Sequence, residues 1–247
     1  MKTIAHNLTK YFLFPLILAS LACSFGNSIA TELPATPQET LQDMDDLTGP
    51  RIGYNGIRFV LDPGLGSQLL AYDEEIASPS GQVAHYTRFA LTAEEYCQTW
   101  CLMVYPVSEF EQAFGTFIFP PDGYGGGAAI VFSAQEKTQE FQNGSGERAL
   151  QAFGQMSYFV GSEALKYVYR GMSSDGKIAV YLQVPVQADA LFFPTPTLPV
   201  SGNVQEGISA HNRQLAKSLN GLDASAFKPD LTVLDELVSS IQIQVKE

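Results

Sequence analysis

Positive charge is scarce in this chain of 247 residues, where 14 Lys and Arg stand against 26 Asp and Glu for a formal net charge of −12. A surface of that sign repels nucleic-acid phosphates and anionic lipid headgroups, so no polyanion is expected as a partner. Long apolar runs are missing too. The run at residues 11–22 is well short of the roughly 20 residues that cross a bilayer, and no later segment comes closer. Histidine occurs three times, and beyond residue 30 only as His85 and His211. Neither has a ligand partner at helical or strand spacing, so a zinc site of three or four ligands has no basis here. No metal or other cofactor is expected.

What the chain does have begins at its N-terminus. Lys2 and Lys10 precede the apolar core YFLFPLILASLA, and Ser28-Ile29-Ala30 presents the small–x–small pattern at which signal peptidase cuts. Residues 1–30 therefore read as an export signal, and the protein as secreted or periplasmic. A second processing route stays open. Cys23 follows Leu21-Ala22, as in a lipoprotein signal, although Ser20 occupies the place where such signals carry Leu. Lipidation at Cys23 would anchor the chain to a membrane, and that is the one membrane contact expected. Cleavage after Ala30 removes Lys2 and Lys10 and takes the formal charge from −12 to −14.

Cysteine is otherwise limited to Cys97 and Cys101, which in an oxidising compartment read as a disulfide pair. On a strand, residues four apart lie about 13 Å from each other, too far to bridge. On a helical turn they lie about 6 Å apart, which is bridgeable. Thr92-Ala93-Glu94-Glu95 forms a capping box able to start such a turn. Three residues separate the cysteines rather than the two of a redox motif, so a structural staple is the reading.

Residues 31–50 are polar, with Pro34 and Pro37 and an acidic cluster at Asp43, Asp45 and Asp46. They read as a linker, since the glycine and glutamate that would complete a calcium loop are absent. From residue 51 to residue 247 the pattern is that of one globular domain. Period-two alternation at residues 57–61, 69–72, 83–91 and 102–105 predicts strands. Ser108-Glu109-Phe110-Glu111 reads as a capping box that starts a short helix. Residues 163–172 and 177–186 flank Ser173-Ser174-Asp175-Gly176, an antiparallel hairpin with Val180, Leu182 and Val184 on one face and Tyr181 and Gln183 on the other. Residues 149–158 read as its neighbouring strand. Helices are expected at 205–219, with Ile208, His211, Leu215 and Leu219 on one face, and after Pro229, which reads as a first-turn proline. Period two returns at Ile241, Ile243 and Val245, so a last strand should rejoin the sheet. The fold class is α+β, a central antiparallel sheet covered by a few helices.

The segments Phe141-Gln142-Asn143-Gly144-Ser145-Gly146-Glu147-Arg148, Tyr169-Arg170-Gly171-Met172-Ser173-Ser174-Asp175-Gly176 and Val184-Pro185-Val186 resemble a family of uncharacterised bacterial exported proteins and lipoproteins. Its members share an F-x-N-G-x-G-x-R segment, a Y-x-G-x-x-x-D-G hairpin and a P-V strand end. The likeness runs from about Tyr54 to the C-terminus, departing at Ala149-Leu150-Gln151 and at Cys97 and Cys101. It implies an exported α+β domain and no particular activity. The order of strands, late helix and final strand is also similar, in topology alone, to PsbP-like photosystem accessory domains.

No motif commits the chain to a reaction. The glycine loop at residues 123–127 lacks the Lys-Ser/Thr ending of a phosphate loop, and Gly144-Ser145-Gly146 lacks the outer glycines of a nucleophile elbow. The proline-rich run at residues 192–199 reads as a lid over the core. Arg148 invites either an internal ion pair or a carboxylate ligand. Tyr167, Tyr169 and Tyr181 are candidates for a binding face, unless helices cover them. The expectation is a non-catalytic exported accessory or binding module whose partner is an envelope protein or a small ligand. The alternative is a hydrolase assembled from Arg148, His211 and distant carboxylates, since such sets are defined by geometry rather than order.

Overall fold

The computed structural model describes residues 49–66, 68–91, 100–119, 128–161, 164–188 and 203–244. Cys23, Cys97, the residues 92–95 box, the glycine loop and the proline-rich run all lie outside these residues, as do the export signal and most of the linker.

Seven antiparallel strands form the main sheet. In chain order they are β3 (Leu70–Ala77), β4 (Val83–Ala90), β5 (Cys101–Pro106), β6 (Ala129–Phe141), β7 (Gly144–Gly154), β8 (Lys166–Ser173) and β9 (Ile178–Pro185). Across the sheet the order is β3-β4-β5-β9-β8-β7-β6. Ahead of them, β1 (Arg51–Tyr54) and β2 (Ile57–Val60) form a hairpin. Helix α1 (Val107–Phe114) follows β5. After β9 come β10 (Gln187–Ala188), α2 (Val204–Asn220), β11 (Phe227–Lys228), α3 (Leu231–Ser239) and β12 (Gln242–Ile243). The α+β class read from the pattern is the class of the structure.

Period-two alternation sends each strand's residues to two different layers. On one face, Leu102, Val104, Leu150, Tyr167, Tyr169, Val180 and Leu182 pack against Leu215 and Leu219 of α2, Leu231, Leu234 and Val238 of α3, and Ile57 and Phe59 of β2. At about 1.5–3 kcal/mol for each large apolar side chain removed from water, this layer is the main source of stability. On the other face, among the described residues, α1 and the chain just after it pack against β4, β5 and β9 in a cluster that also takes in Val168 of β8. Phe110, Phe117, Tyr105 and Tyr181 meet there, with Phe110 edge-on to Tyr105 at 5.2 Å.

Several elements differ from the sequence reading, each for a local reason. Ser108 lies inside α1, and the N-cap position belongs to Pro106, which offers no side-chain acceptor. Glu109, in the first turn, accepts from the backbone N–H of His85 at 3.0 Å and meets His85 Nδ1 at 2.9 Å. Helix α3 starts at Leu231 because Asp230 caps it, its carboxylate accepting from Thr232 N at 2.8 Å, so Pro229 precedes the cap. The final strand joins β2 in a separate three-stranded sheet rather than the main one. The β8–β9 turn closes through Gly176 N–H to the Ser173 carbonyl at 2.8 Å, with only Gly176 of the Asp-Gly pair at positive φ. The structure adds strand β6, and β7 begins at Gly144 rather than Ala149.

Candidate functional site

The residues that carried the family likeness act as packing and latching devices. Gly144, Gly146 and Gly171 leave room for their neighbours: a Cβ on Gly144 would meet the Phe141 ring, one on Gly171 the Tyr169 ring, and one on Gly146 the backbone of Arg170 and Gly171. Gly146 and Gly171 stand opposite each other in the register, and the Phe141 and Tyr169 rings pack edge to face beside them at 6.5 Å. Asn143 fastens the C-terminal strand, donating from Nδ2 to the Ile243 carbonyl at 2.9 Å.

Arg148 is buried, and its guanidinium donates to Asp235 of α3 (Nε to Oδ1, 3.1 Å) and to the carbonyl of Gln135. Asp235 also accepts from the Tyr167 hydroxyl at 2.9 Å and from Lys137 Nζ at 2.9 Å. The ion-pair alternative for Arg148 is the one the geometry realises. Burial, with the Asp235 carboxylate next in weight, raises the Tyr167 phenol well above its ordinary range, and burial alone raises Tyr169. Tyr169 donates to the Gln139 carbonyl at 3.3 Å. Tyr181 points to the opposite face from these two and donates to Gln183 Oε1 at 3.0 Å. All three rings are wholly buried. The structure therefore splits the tyrosines between two cores and presents none of them to solvent.

The histidines are also apart in their chemistry. His85 is exposed beside Glu109 and Glu75. His211, on α2, meets the Val160 carbonyl at 3.2 Å and the edge of the Phe159 ring. Among the described residues no group of three or more His, Cys, Asp and Glu could hold a metal ion.

Among the described residues a concave feature lies on the face of β6, β7 and β8 opposite α2 and α3. It is an open trough of about 520 Å3. Ser145, Glu147 and Gln151 of β7 and Val168, Arg170 and Met172 of β8 form its floor, with Glu136 and Thr138 on the β6 side and Phe119 at the rim. Arg170 donates to Gln151 Oε1 at 2.8 Å and lies 5.4 Å from the centre of the Tyr181 ring. Glu147 is its direct cross-strand neighbour. The trough thus joins a guanidinium, carboxylates, hydroxyls and apolar surface within one cleft, the mixture that binds small ligands. Sequence reasoning passed over Arg170, though its place in the hairpin between Tyr169 and Gly171 puts it on the face opposite Tyr169. The chain is thus an α+β protein with a seven-stranded antiparallel sheet and an open polar trough. Comparison with family models, with curated proteins and with solved structures finds no match for it.

Proposed function

We propose that this protein is an exported, non-catalytic binding module that receives its ligand in the trough over β6, β7 and β8. The observation that supports the reading is the asymmetry of the sheet, one face packed by α2 and α3 and the other bearing, among the described residues, a cleft of about 520 Å3 over β6, β7 and β8. A cleft of that size is within the range of small-molecule sites. Export is supported by the n-region, apolar core and Ser28-Ile29-Ala30. Arg148 and His211, which a hydrolase would have to join, take different partners, Asp235 for one and the Val160 carbonyl for the other.

The test fills the trough without touching the core. Ser145 is exposed on its floor, so Ser145→Phe should fold normally and block it. Ligands are found by screening small metabolites and short peptides for a rise in Tm, since a hundredfold excess over Kd stabilises the fold by about 2.7 kcal/mol. Ligands that stabilise the wild type and not Ser145→Phe support the reading. Ligands that stabilise both proteins equally, with a hydrogen-exchange footprint away from β6, β7 and β8, overturn it.

A further inference from the structure

The two edges of the seven-stranded sheet are built differently. Strand β6, at one edge, carries two register shifts and Lys137, and Gln135 ties it to the end of α2. Bulges and lysines are usual means of keeping an edge from pairing with another chain. Strand β3, at the other edge, has neither. Its residues run in unbroken register with β4, from Leu70 opposite Ala90 to Ala77 opposite Val83, with no proline, glycine or lysine among them. The turn after β3 fixes which way its backbone points. Ser78 N–H donates to the Gln82 carbonyl at 2.7 Å, so the bonded pairs with β4 recur at Ile76, Glu74, Tyr72 and Leu70. The N–H and C=O groups of Ala71, Asp73, Glu75 and Ala77 therefore face outward, and among the described residues no strand takes them. His85, opposite Glu75, shows the same phase, its N–H turned away from β3 to the Glu109 carboxylate.

Charge on this strand is only partly balanced. Arg88 pairs with Glu74 at 2.6 Å. Asp73 is held by neutral donors, the Tyr54 hydroxyl and Asn55 Nδ2 at 2.8 Å each and the Thr87 hydroxyl at 3.3 Å. Glu75 is exposed, 4.0 Å from an exposed His85 that Glu109 also shares. We propose that β3 is the docking edge for an extended basic segment of a partner protein, which adds to the sheet as an eighth strand. Its backbone bonds to the outward groups of Ala71, Asp73, Glu75 and Ala77. Lysines or arginines two apart stand beside Asp73 and Glu75, which share one face of the strand. Apolar residues at the alternate positions extend the surface of Leu70 and Ile76 on the other. A second copy of this chain does not suit the edge. Paired with itself about a two-fold axis, β3 sets Asp73, Glu74 and Glu75 against their own copies, and like charges in opposition destabilise a pair. This edge is remote from the trough over β6, β7 and β8, so neither reading depends on the other.

The experiment starts with amide hydrogen exchange on the full chain, where Asp73 and Glu75 should exchange faster than Tyr72 and Glu74 by about tenfold or more. The probe is the acetylated, amidated hexapeptide Thr-Lys-Val-Lys-Val-Thr, titrated by amide NMR shifts and calorimetry beside its Glu-for-Lys analogue. The basic peptide should bind, slow the exchange of Ala71, Asp73, Glu75 and Ala77, and weaken as salt rises. The acidic one should bind about tenfold more weakly, and Glu75→Lys should weaken the basic one by about the same factor. Glu75→Pro removes an outward N–H and no bond to β4, so it should stay folded in a thermal melt and lose the peptide. Sedimentation of the wild type should give a monomer. Slow exchange at Asp73 and Glu75 in the free protein, no binding of the basic peptide, or equal binding of the two peptides overturns the proposal. So does an unchanged affinity in Glu75→Lys or in a folded Glu75→Pro. A wild-type dimer whose newly protected amides are those of β3 overturns it too, by making a second copy the occupant.

Discussion

At the scale of single residues, the polar knot around Asp235 decides most. Its carboxylate is 13% exposed and serves Arg148, 7% exposed, together with Tyr167 and Lys137. Asp235→Asn keeps the shape but leaves a buried guanidinium facing a neutral amide, and the expected loss is on the order of 3 kcal/mol in urea unfolding. Replacing both partners by Leu and Met should cost clearly less than the sum of the single changes, because no buried charge is then stranded. Tyr167→Phe removes one hydroxyl from the same knot and should cost about 1 kcal/mol. Tyr181→Ala empties a wholly buried site on the other face and should cost about 3–5 kcal/mol, read as unfolding rather than as loss of binding by a folded protein. A folded Tyr181→Ala of wild-type stability would mean that this ring is not core.

At the scale of elements, legibility followed the regularity of the register. The β8–β9 hairpin was readable because seven pairs of alternating residues face each other without interruption. Strand β6 was not, because its register to β7 shifts between Ile130 and Phe132 and again between Ala134 and Lys137, and each shift moves the apolar phase to the other face. Asp230 was passed over as a cap because Pro229, one residue earlier, is itself a familiar helix opener. The second shift in β6 has a purpose that no periodicity reveals. Gln135 sits there at φ +55°, its N–H donating to Asn220 Oδ1 at 2.5 Å and its Nε2 to the carbonyls of Leu219 and Leu222 at 2.6 and 2.9 Å. The bulge thereby ties β6 to the carbonyls at and just after the C-terminal end of α2. Gln135→Ala keeps the left-handed backbone and loses the side-chain bonds, so it should destabilise by about 2 kcal/mol. Gln135→Gly loses the same bonds but relieves the backbone, and should be the more stable of the two by about 1 kcal/mol. Chemical denaturation of the pair checks the order, and an alanine variant as stable as the glycine one would remove the strain argument.

At the scale of the whole molecule, the fold class was readable from alternation and helix faces, whereas the trough was not, since a cleft depends on which face the helices leave open. That packing also sets the behaviour in base. Burial, then the hydrogen bond and charge of Asp73, push the Tyr54 phenol from 10.0 up to about 12, and burial raises Tyr86, Tyr167 and Tyr169 as well. A folded-state pKa above the unfolded value means the unfolded chain releases protons first as pH rises. The stabilisation from these phenols is therefore complete below pH 10 and is lost as pH climbs toward 12 and beyond. Phenolate absorbance should show these tyrosines ionising in a cooperative step coincident with loss of secondary structure. A single ordinary titration with the fold intact would contradict the buried assignment. The compartment gives the last prediction, because it determines both what the trough meets and whether Cys101, wholly buried at the head of β5, is bridged to Cys97. Expressed with its own signal, the protein should appear in the soluble exported fraction with an intact mass beginning at Thr31, and reduction should add the mass of one pair of hydrogens. Closing so short a loop stabilises by about 2 kcal/mol, so Cys97→Ser should lower the unfolding free energy by that amount under oxidising conditions and leave it unchanged under reducing ones. A mass beginning at an acylated Cys23 in the membrane fraction would place the trough on a tether at the membrane surface instead. A mass unaltered by reduction would remove the bridge.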